Sequence, residues 1–311
     1  MVDTQRTRYE RLRDRARSGE VILIDGATGS ECFRRGVPEH EVGWSGGAVL
    51  THPETVRAIH ADYLDIGAEL IATNTFATGC NIMRDVGDEE SFEEANRRAV
   101  EVAIEARDGA GESGRDAVIA GGISNWSFSG DRPSLEQLHA DTVRQATIMR
   151  DAGVDLLTLE MMVDIPRLVA TLSAASSVGL PVWVGFSIGG EVNNEVESLG
   201  EHIELREGGR LSDAVEVVKA DGAVDAICIM HTDVVLVERS LATVRASWDG
   251  PLGAYGHASA EADDKITHID VLTPEEYASY VPAWRAAGAT ILGGCCGIGP
   301  THLRSVADSL I

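Results

Sequence analysis

Lysine is nearly missing from this 311-residue chain: it occurs only at 219 and 265, so arginine supplies almost all of the 26 basic residues. Aromatic side chains are also scarce, at 5%, which makes each position informative. Apolar runs are short, such as Ala117 to Ala120 and Val224 to Met230, against the roughly 20 residues a membrane helix needs. No membrane association is expected. The opening from Met1 to Glu20 is charged throughout, so no secretory leader is expected either. Five cysteines in so long a chain make no disulfide framework, and two are neighbours at 295 and 296. A reducing cytoplasm is the expected compartment.

Positive charge is the other shortage. Acidic residues number 50 against 26 basic, a formal charge of −24, and such a surface repels a nucleic-acid backbone. The densest basic stretch, Arg6 to Arg17, alternates with Glu10 and Asp14. It reads as the solvated face of an N-terminal helix over about 4–18, not as a nucleic-acid patch. The acidic surface is compatible with a monomer or a homo-oligomer.

What is present is a repeated unit. A short apolar or β-branched run ends in small or polar residues, and an amphipathic helical stretch follows, often closed by glycine. The strands are Val21 to Ile24, Leu70 to Thr73, Ala117 to Ala120, Leu156 to Leu159, Pro181 to Phe186, Ala226 to Met230, Leu252 to Tyr255 and Thr290 to Leu292. Between them lie helical stretches at 51–66, 90–110, 134–152, 165–177, 211–220, 234–246 and 274–287. Near-continuous apolar strands alternating with helices imply a parallel sheet covered by helices. Eight units fit a (β/α)8 TIM barrel better than an open doubly wound sheet, and the glycines of Gly26-Ala27-Thr28-Gly29 lack dinucleotide-binding spacing. The whole chain, 1–311, is read as one barrel domain. Its acidic, Gly-rich excursion at about 189–210 reads as a solvated loop near the barrel mouth.

In such a barrel the residues just after each strand gather at one rim. Here they are Asp25, Asn74 and Thr75, Gly121 and Gly122, Glu160, Ser187, His231, Tyr255 and His257, and Cys295 and Cys296. Glycines at 293, 294 and 297 free the backbone to turn both neighbouring sulfurs toward one centre. Two thiolates and an imidazole form a soft three-ligand set for Zn²⁺ with a fourth position open; the alternative is two inert buried cysteines beside a hydrogen-bonded histidine.

These residues carry a resemblance. Asp25-Gly26-Ala27-Thr28-Gly29-Ser30-Glu31, Arg35-Gly36, Trp44-Ser45, Thr73-Asn74-Thr75-Phe76, Gly153-Val154-Asp155 through Glu160, and Gly293-Gly294-Cys295-Cys296-Gly297 resemble the homocysteine S-methyltransferase family. That family includes betaine- and S-methylmethionine-dependent enzymes and the homocysteine-binding domain of cobalamin-dependent methionine synthase. The likeness spans about residues 18–308. It implies a zinc-holding barrel that activates a thiol to accept a methyl group, a reaction of methionine biosynthesis.

By that resemblance Cys295 and Cys296 are zinc thiolates. The family's third ligand is normally a cysteine in a segment like D-A-V-G-V-N-C. Here the stretch is Asp225-Ala226-Ile227-Cys228-Ile229-Met230-His231, so His231 stands where the cysteine belongs. Cys228, about 10 Å back along the strand, reads as a core residue. Asp25 and Glu160 correspond to carboxylates that hold the amino group of the thiol amino acid, and Gly26, Thr28 and Glu31 shape the loop around it, with a cap or salt bridge as the other reading of Glu31. An imidazole in place of a thiolate makes the bound thiolate a weaker nucleophile. The usual Tyr-Pro-Asn-type element is also altered, to Ala254-Tyr255-Gly256-His257-Ala258. Both departures point to a changed substrate.

For the methyl donor, Trp44, Asn74, Phe76, Trp126, Tyr255 and His257 are the expected pocket, because aromatic faces attract methylated cations. Ala77 and Met161 stand where betaine-using relatives carry tyrosines. A sulfonium, another betaine or a methylated heterocycle suits the pocket. No cobalamin or folate module is expected within these residues. A zinc-dependent hydrolase or lyase, and a non-catalytic binding protein, are the competing readings.

Overall fold

The computed structural model describes residues 7–40, 43–127, 129–189, 202–257, 259–262, 265–270 and 272–310, the last stretches before 272 by backbone only. Eight parallel strands form a barrel surrounded by helices: β1 (Ile22–Leu23), β2 (Leu70–Ala72), β3 (Val118–Ser124), β4 (Leu156–Met162), β5 (Val182–Phe186), β6 (Val224–Asp233), β7 (Leu252–His257) and, after a hairpin, β10 (Ala289–Leu292). The hairpin pairs β8 (Ser259–Ala262) with β9 (Lys265–Asp270) antiparallel. Strand order around the sheet runs β1, β10, β7, β6, β5, β4, β3, β2. A parallel bridge between Ile24 and Leu70 joins its two ends, supported by Asp25 N donating to Leu70 O at 3.0 Å. The TIM-barrel expectation holds.

Alternation along the strands sorts side chains between two cores, because successive residues face opposite sides of a sheet. On β3, Val118 and Ala120 enter the lumen while Ile119 packs outward against helices; on β6, Ala226 and Cys228 point in while Ile227 and Ile229 point out. The N-terminal helix Arg8–Arg17 plugs one end of the lumen with Tyr9, Leu12 and Ala16. Trp183 Nε1 donates to Tyr9 Oη at 3.1 Å, and Tyr9 Oη donates to Asp225 at 2.7 Å. Its arginines are tied to the barrel as well: Arg11 to Asp116, Arg15 to Glu69 and Arg17 to Asp225. The helix is therefore a stopper and not simply a solvated face. Thr7 and Ser18 cap it, and residues 4–6 of the expected 4–18 span lie outside the described residues.

Other differences have local causes. The helical stretch expected at 274–287 is two helices, Pro274–Ala278 and Val281–Ala286; Pro282 lacks the N–H that would continue the first. Residues 190–201 of the acidic excursion lie outside the described residues. Its second half is anchored to the barrel: Ile203 and Leu205 are buried, and Leu205 bridges Ile188.

Candidate active site

Two strands break their alternation at the same rim. On β4, Thr158 and Glu160 face the lumen, so Met161 by parity faces out. On β6, Met230 faces the lumen and His231 by parity faces out. Both residues instead adopt left-handed backbone, φ 53° at Met161 and 43° at His231, where the strand registers slip, between Leu159 and Met162 and between Met230 and Asp233. Each bulge adds a second consecutive side chain to the cavity wall. Met161 N, turned by its bulge, lies 3.2 Å from Met230 Sδ. His231 is held by Ser187 Oγ, which donates to its carbonyl at 2.8 Å. The left-handed region favours Gly, Asn, Asp and His, so histidine suits this backbone.

The cysteines arrive from β10. Gly294 N donates to Asp25 O at 3.1 Å and Cys295 N to Gly256 O at 3.0 Å. Gly297, at φ 82°, reverses the chain in a region that glycine adopts without strain. A Cβ on Gly294 would stand 2.1 Å from the Ile298 side chain, so the turn requires its bareness. The result is a triangle. His231 Nδ1 lies 3.6 Å from Cys295 Sγ and 3.4 Å from Cys296 Sγ, and the sulfurs are 3.9 Å apart. A tetrahedral zinc with Zn–S about 2.3 Å and Zn–N about 2.05 Å needs S···N edges of about 3.6 Å and an S···S edge of about 3.8 Å. The three residues fit that ion without rearrangement. Hydrogen bonding from Cys296 pulls the Cys295 thiol well below the usual thiol range; burial opposes this and His231 adds to it. Cys228 lies in the lumen against Gly253, fully buried, and burial pushes its thiol up to about 12.

A cavity of about 1430 Å³ opens in front of this triangle. Asp25, Gly26, Thr28, Glu160, Trp44, Asn74, Phe76, Trp126 and Tyr255 line it with His231, Cys295 and Cys296. Asp25 accepts from Ala72 N at 2.7 Å, and Glu160 accepts from Thr158 Oγ1 at 3.4 Å. Burial pushes the Asp25 carboxyl up to about 8, and burial, then the Cys295 thiolate and Asp25, together bring Glu160 to about 8. A cation placed between two buried acids favours their charged form. Trp44 and Phe76 meet edge to face, centroids 6.1 Å apart. Trp44 is itself left-handed, φ 43°, and its ring fills the space where a Cβ on Gly29 would lie.

Two expected residues stand elsewhere. Glu31 gives its carboxylate to Arg34 at 2.6 Å and Arg35 at 3.3 Å and does not line the cavity. His257 is buried behind His231, rings 5.1 Å apart and edge to face. Sequence reasoning missed Arg132, Arg167, Arg206 and Glu207 on the cavity wall; Arg206 and Glu207 lie inside the run read as solvated.

A family model described as homocysteine S-methyltransferase matches residues 22–310. The chain belongs to that family. It is 24% identical to homocysteine S-methyltransferase 4 of Zea mays, over 94% of this chain and 90% of that protein. To selenocysteine methyltransferase of Astragalus bisulcatus it is 28% identical, over 93% and 92%. Among solved structures, the oxidised form of the homocysteine methyltransferase MmuM of Escherichia coli superposes with a TM-score of 0.80 at 23% identity, covering 97% of this chain and 99% of that one. The metallated form of MmuM gives 0.76 at 22% identity, covering 93% and 96%. At this identity the structural likeness speaks for the fold.

Proposed function

We propose that this family member is a zinc-dependent S-methyltransferase that moves a methyl group from a small onium donor to a thiol amino acid such as homocysteine. One observation carries the reading: the His231–Cys295–Cys296 triangle and the buried carboxylates of Asp25 and Glu160 share one cavity. A metal-binding corner beside two paired acids suits a ligand with a thiol at one end and an ammonium at the other.

His231 Nδ1 and the two sulfurs would hold the metal. Zinc bound there supplies a lowered thiol pKa and a thiolate kept available at neutral pH. Asp25 and Glu160 hold the acceptor's ammonium and so orient its sulfur. Trp44 and Phe76 hold the onium head and screen the path from water. The acceptor sulfur forms the new S–CH₃ bond as the donor's C–S or C–N bond breaks, and that electron pair returns to the donor heteroatom. Replacing a thiolate ligand by neutral imidazole makes the site less anionic, so the sulfur ionises readily but attacks less strongly. An acceptor more nucleophilic than homocysteine is favoured by that exchange, and a selenol is one such class. All five cysteines are free, as suits a cytoplasmic enzyme working as one barrel unit.

The deciding experiment incubates metal-loaded protein with homocysteine or selenocysteine and a panel of methylated onium compounds, reading products by mass. Methylated thiol or selenol is expected. Hydrolysed donor with no methylated acceptor would favour a zinc-water hydrolase and overturn the reading.

A further inference from the structure

We infer that His257 is a positioning residue for the metal site: it fixes the ring of His231 so that Nδ1, and not a ring carbon, faces Cys295 and Cys296. The inference rests on the zinc reading and adds to it a residue that stands behind the cavity wall.

An imidazole ligand has a requirement that a thiolate lacks. The sulfur of cysteine offers lone pairs over a wide range of directions, and one side-chain torsion aims it. Neutral imidazole offers a single lone pair in the ring plane, at one of its two nitrogens. Two torsions must then be right, and the second has no sharp wells to hold it, because χ2 of histidine is broad and roughly two-fold. A half-turn about χ2 exchanges Nδ1 for Cδ2 and leaves the sulfurs facing carbon. The backbone at His231 is well held. Ser187 Oγ donates to its carbonyl at 2.8 Å, and Thr232 Oγ1 accepts from Ile188 N at 3.0 Å and donates to Met230 O at 2.7 Å. None of these bonds reaches the ring.

His257 does reach it. The two rings meet edge to face, with centroids 5.1 Å apart and planes at 71°, and both residues are buried. The meeting follows from the bulge. Between the Met230–Tyr255 and Asp233–His257 pairs, β6 has two residues where β7 has one, so the extra residue turns His231 out of alternation beside the end of β7. Gly256 permits the close pass: a Cβ there would stand 3.1 Å from Thr232 O and 3.1 Å from the Val234 side chain. The end of β7 is itself anchored to the cysteine turn. Gly256 O accepts from Cys295 N at 3.0 Å, and Tyr277 Oη donates to Gly293 O at 2.8 Å while lying 3.3 Å from Gly256 O. One strand end therefore sets Cys295 through its backbone and His231 through a ring. Edge-to-face packing is a preferred arrangement of such rings, and here it supplies the restraint on χ2 that the backbone cannot.

The test measures zinc affinity by chelator competition, without reference to catalysis. It compares wild type with His257→Ala, and His231→Cys with the double variant His231→Cys/His257→Ala, with thermal melts confirming folding. His257→Ala should weaken zinc binding about 10- to 100-fold, the usual loss for an outer-shell partner. In His231→Cys there is no ring to orient, so adding His257→Ala should change zinc affinity by no more than about 2-fold, the scatter of independent sites. His257→Phe, which returns an aromatic ring, should recover part of the loss when His231 is present; the alanine pair decides the matter if the larger ring does not fit. Wild-type zinc affinity in His257→Ala overturns the inference and leaves the zinc reading standing. An equal loss in both backgrounds also overturns it, because a general structural role acts on either ligand alike. A wild-type protein that takes up no zinc overturns both the inference and the reading on which it rests.

Discussion

Gly122 and Glu160 fit together on neighbouring strands: a Cβ built on Gly122 would stand 2.9 Å from Glu160 Oε1. The glycine is the space in which the carboxylate lies. β3 and β4 pair Gly122 with Thr158 and Ser124 with Glu160, so any side chain at 122 must push the acid deeper into the cavity or aside.

Gly122→Ala should therefore impair acceptor binding while leaving the fold standing. The KM for the thiol amino acid should rise about 10-fold, the loss of roughly one charge-assisted hydrogen bond. Donor KM and metal content should stay at wild-type values. Steady-state kinetics with each substrate varied in turn make the distinction. An unchanged thiol KM would mean that Glu160 does not hold the acceptor.

Trp44→Leu should act on the other substrate. Leucine keeps apolar volume near Phe76 and Gly29 but removes the π face. Donor affinity should fall about 5- to 30-fold, the range expected for a desolvated cation–π contact of about 1–2 kcal/mol. Binding isotherms for donor and thiol in parallel check it. Unchanged donor affinity would remove Trp44 from the onium site.

The barrel was legible in the sequence because its strands are apolar on both faces and its helices repeat at regular spacing. Asp25, Glu160, Cys295 and Cys296 could be placed at the rim because each directly follows or ends a readable strand. His231 could be placed there too, but not its direction: strict alternation turns it outward, and only a register slip with φ at 43° brings it in. No local pattern announces such a bulge, which is matched by a register slip on β4, two strands away. Arg206 was hidden for a different reason. It sits in an acidic, glycine-rich run whose composition reads as solvent-exposed, yet tertiary hydrogen bonds to Ser187 and Val163 draw that run over the cavity. The β8–β9 hairpin escaped because Lys-Ile-Thr-His-Ile-Asp is mostly polar and lacks a two-residue period, unlike the continuous apolar strands of the barrel.

His60 gives a stability prediction away from the site. It is fully buried on the helix Pro53–Ile66, both ring nitrogens lack a hydrogen-bond partner among the described residues, and burial lowers its pKa from 6.5 to about 4. Between those values the unfolded chain binds the proton and the folded one does not. Stability from this group is thus complete above pH 6.5 and falls as pH drops toward 4. At pH 5 the loss should be about 2 kcal/mol. His60→Leu should remove it, so the variant's denaturation midpoint should gain on wild type between pH 7 and pH 5. Parallel denaturant titrations at the two pH values would show a constant difference if His60 were not the group responsible.

The proposed metal site can be tested at His231, which stands where the resemblance implies a cysteine. His231 Nδ1 already sits at ligand spacing from both sulfurs, 3.6 and 3.4 Å, so removing it opens the coordination sphere. His231→Ala should lower zinc affinity by more than about 100-fold, beyond the usual effect of losing an outer-shell partner. Chelator competition and metal analysis measure this without reference to catalysis. Cys295→Ser and Cys296→Ser should bind zinc no better than His231→Ala. His231→Cys is the converse experiment. A thiolate at 231 must adopt the same left-handed backbone, which costs cysteine more than histidine, but it restores a three-sulfur set and should retain the metal. The added negative charge should make a zinc-bound homocysteine thiolate more nucleophilic, so homocysteine methylation should accelerate relative to wild type when donor is saturating. Wild-type zinc affinity in His231→Ala would exclude His231 as a ligand. Full metal binding by His231→Cys with no gain toward homocysteine would show that the histidine does not set acceptor choice.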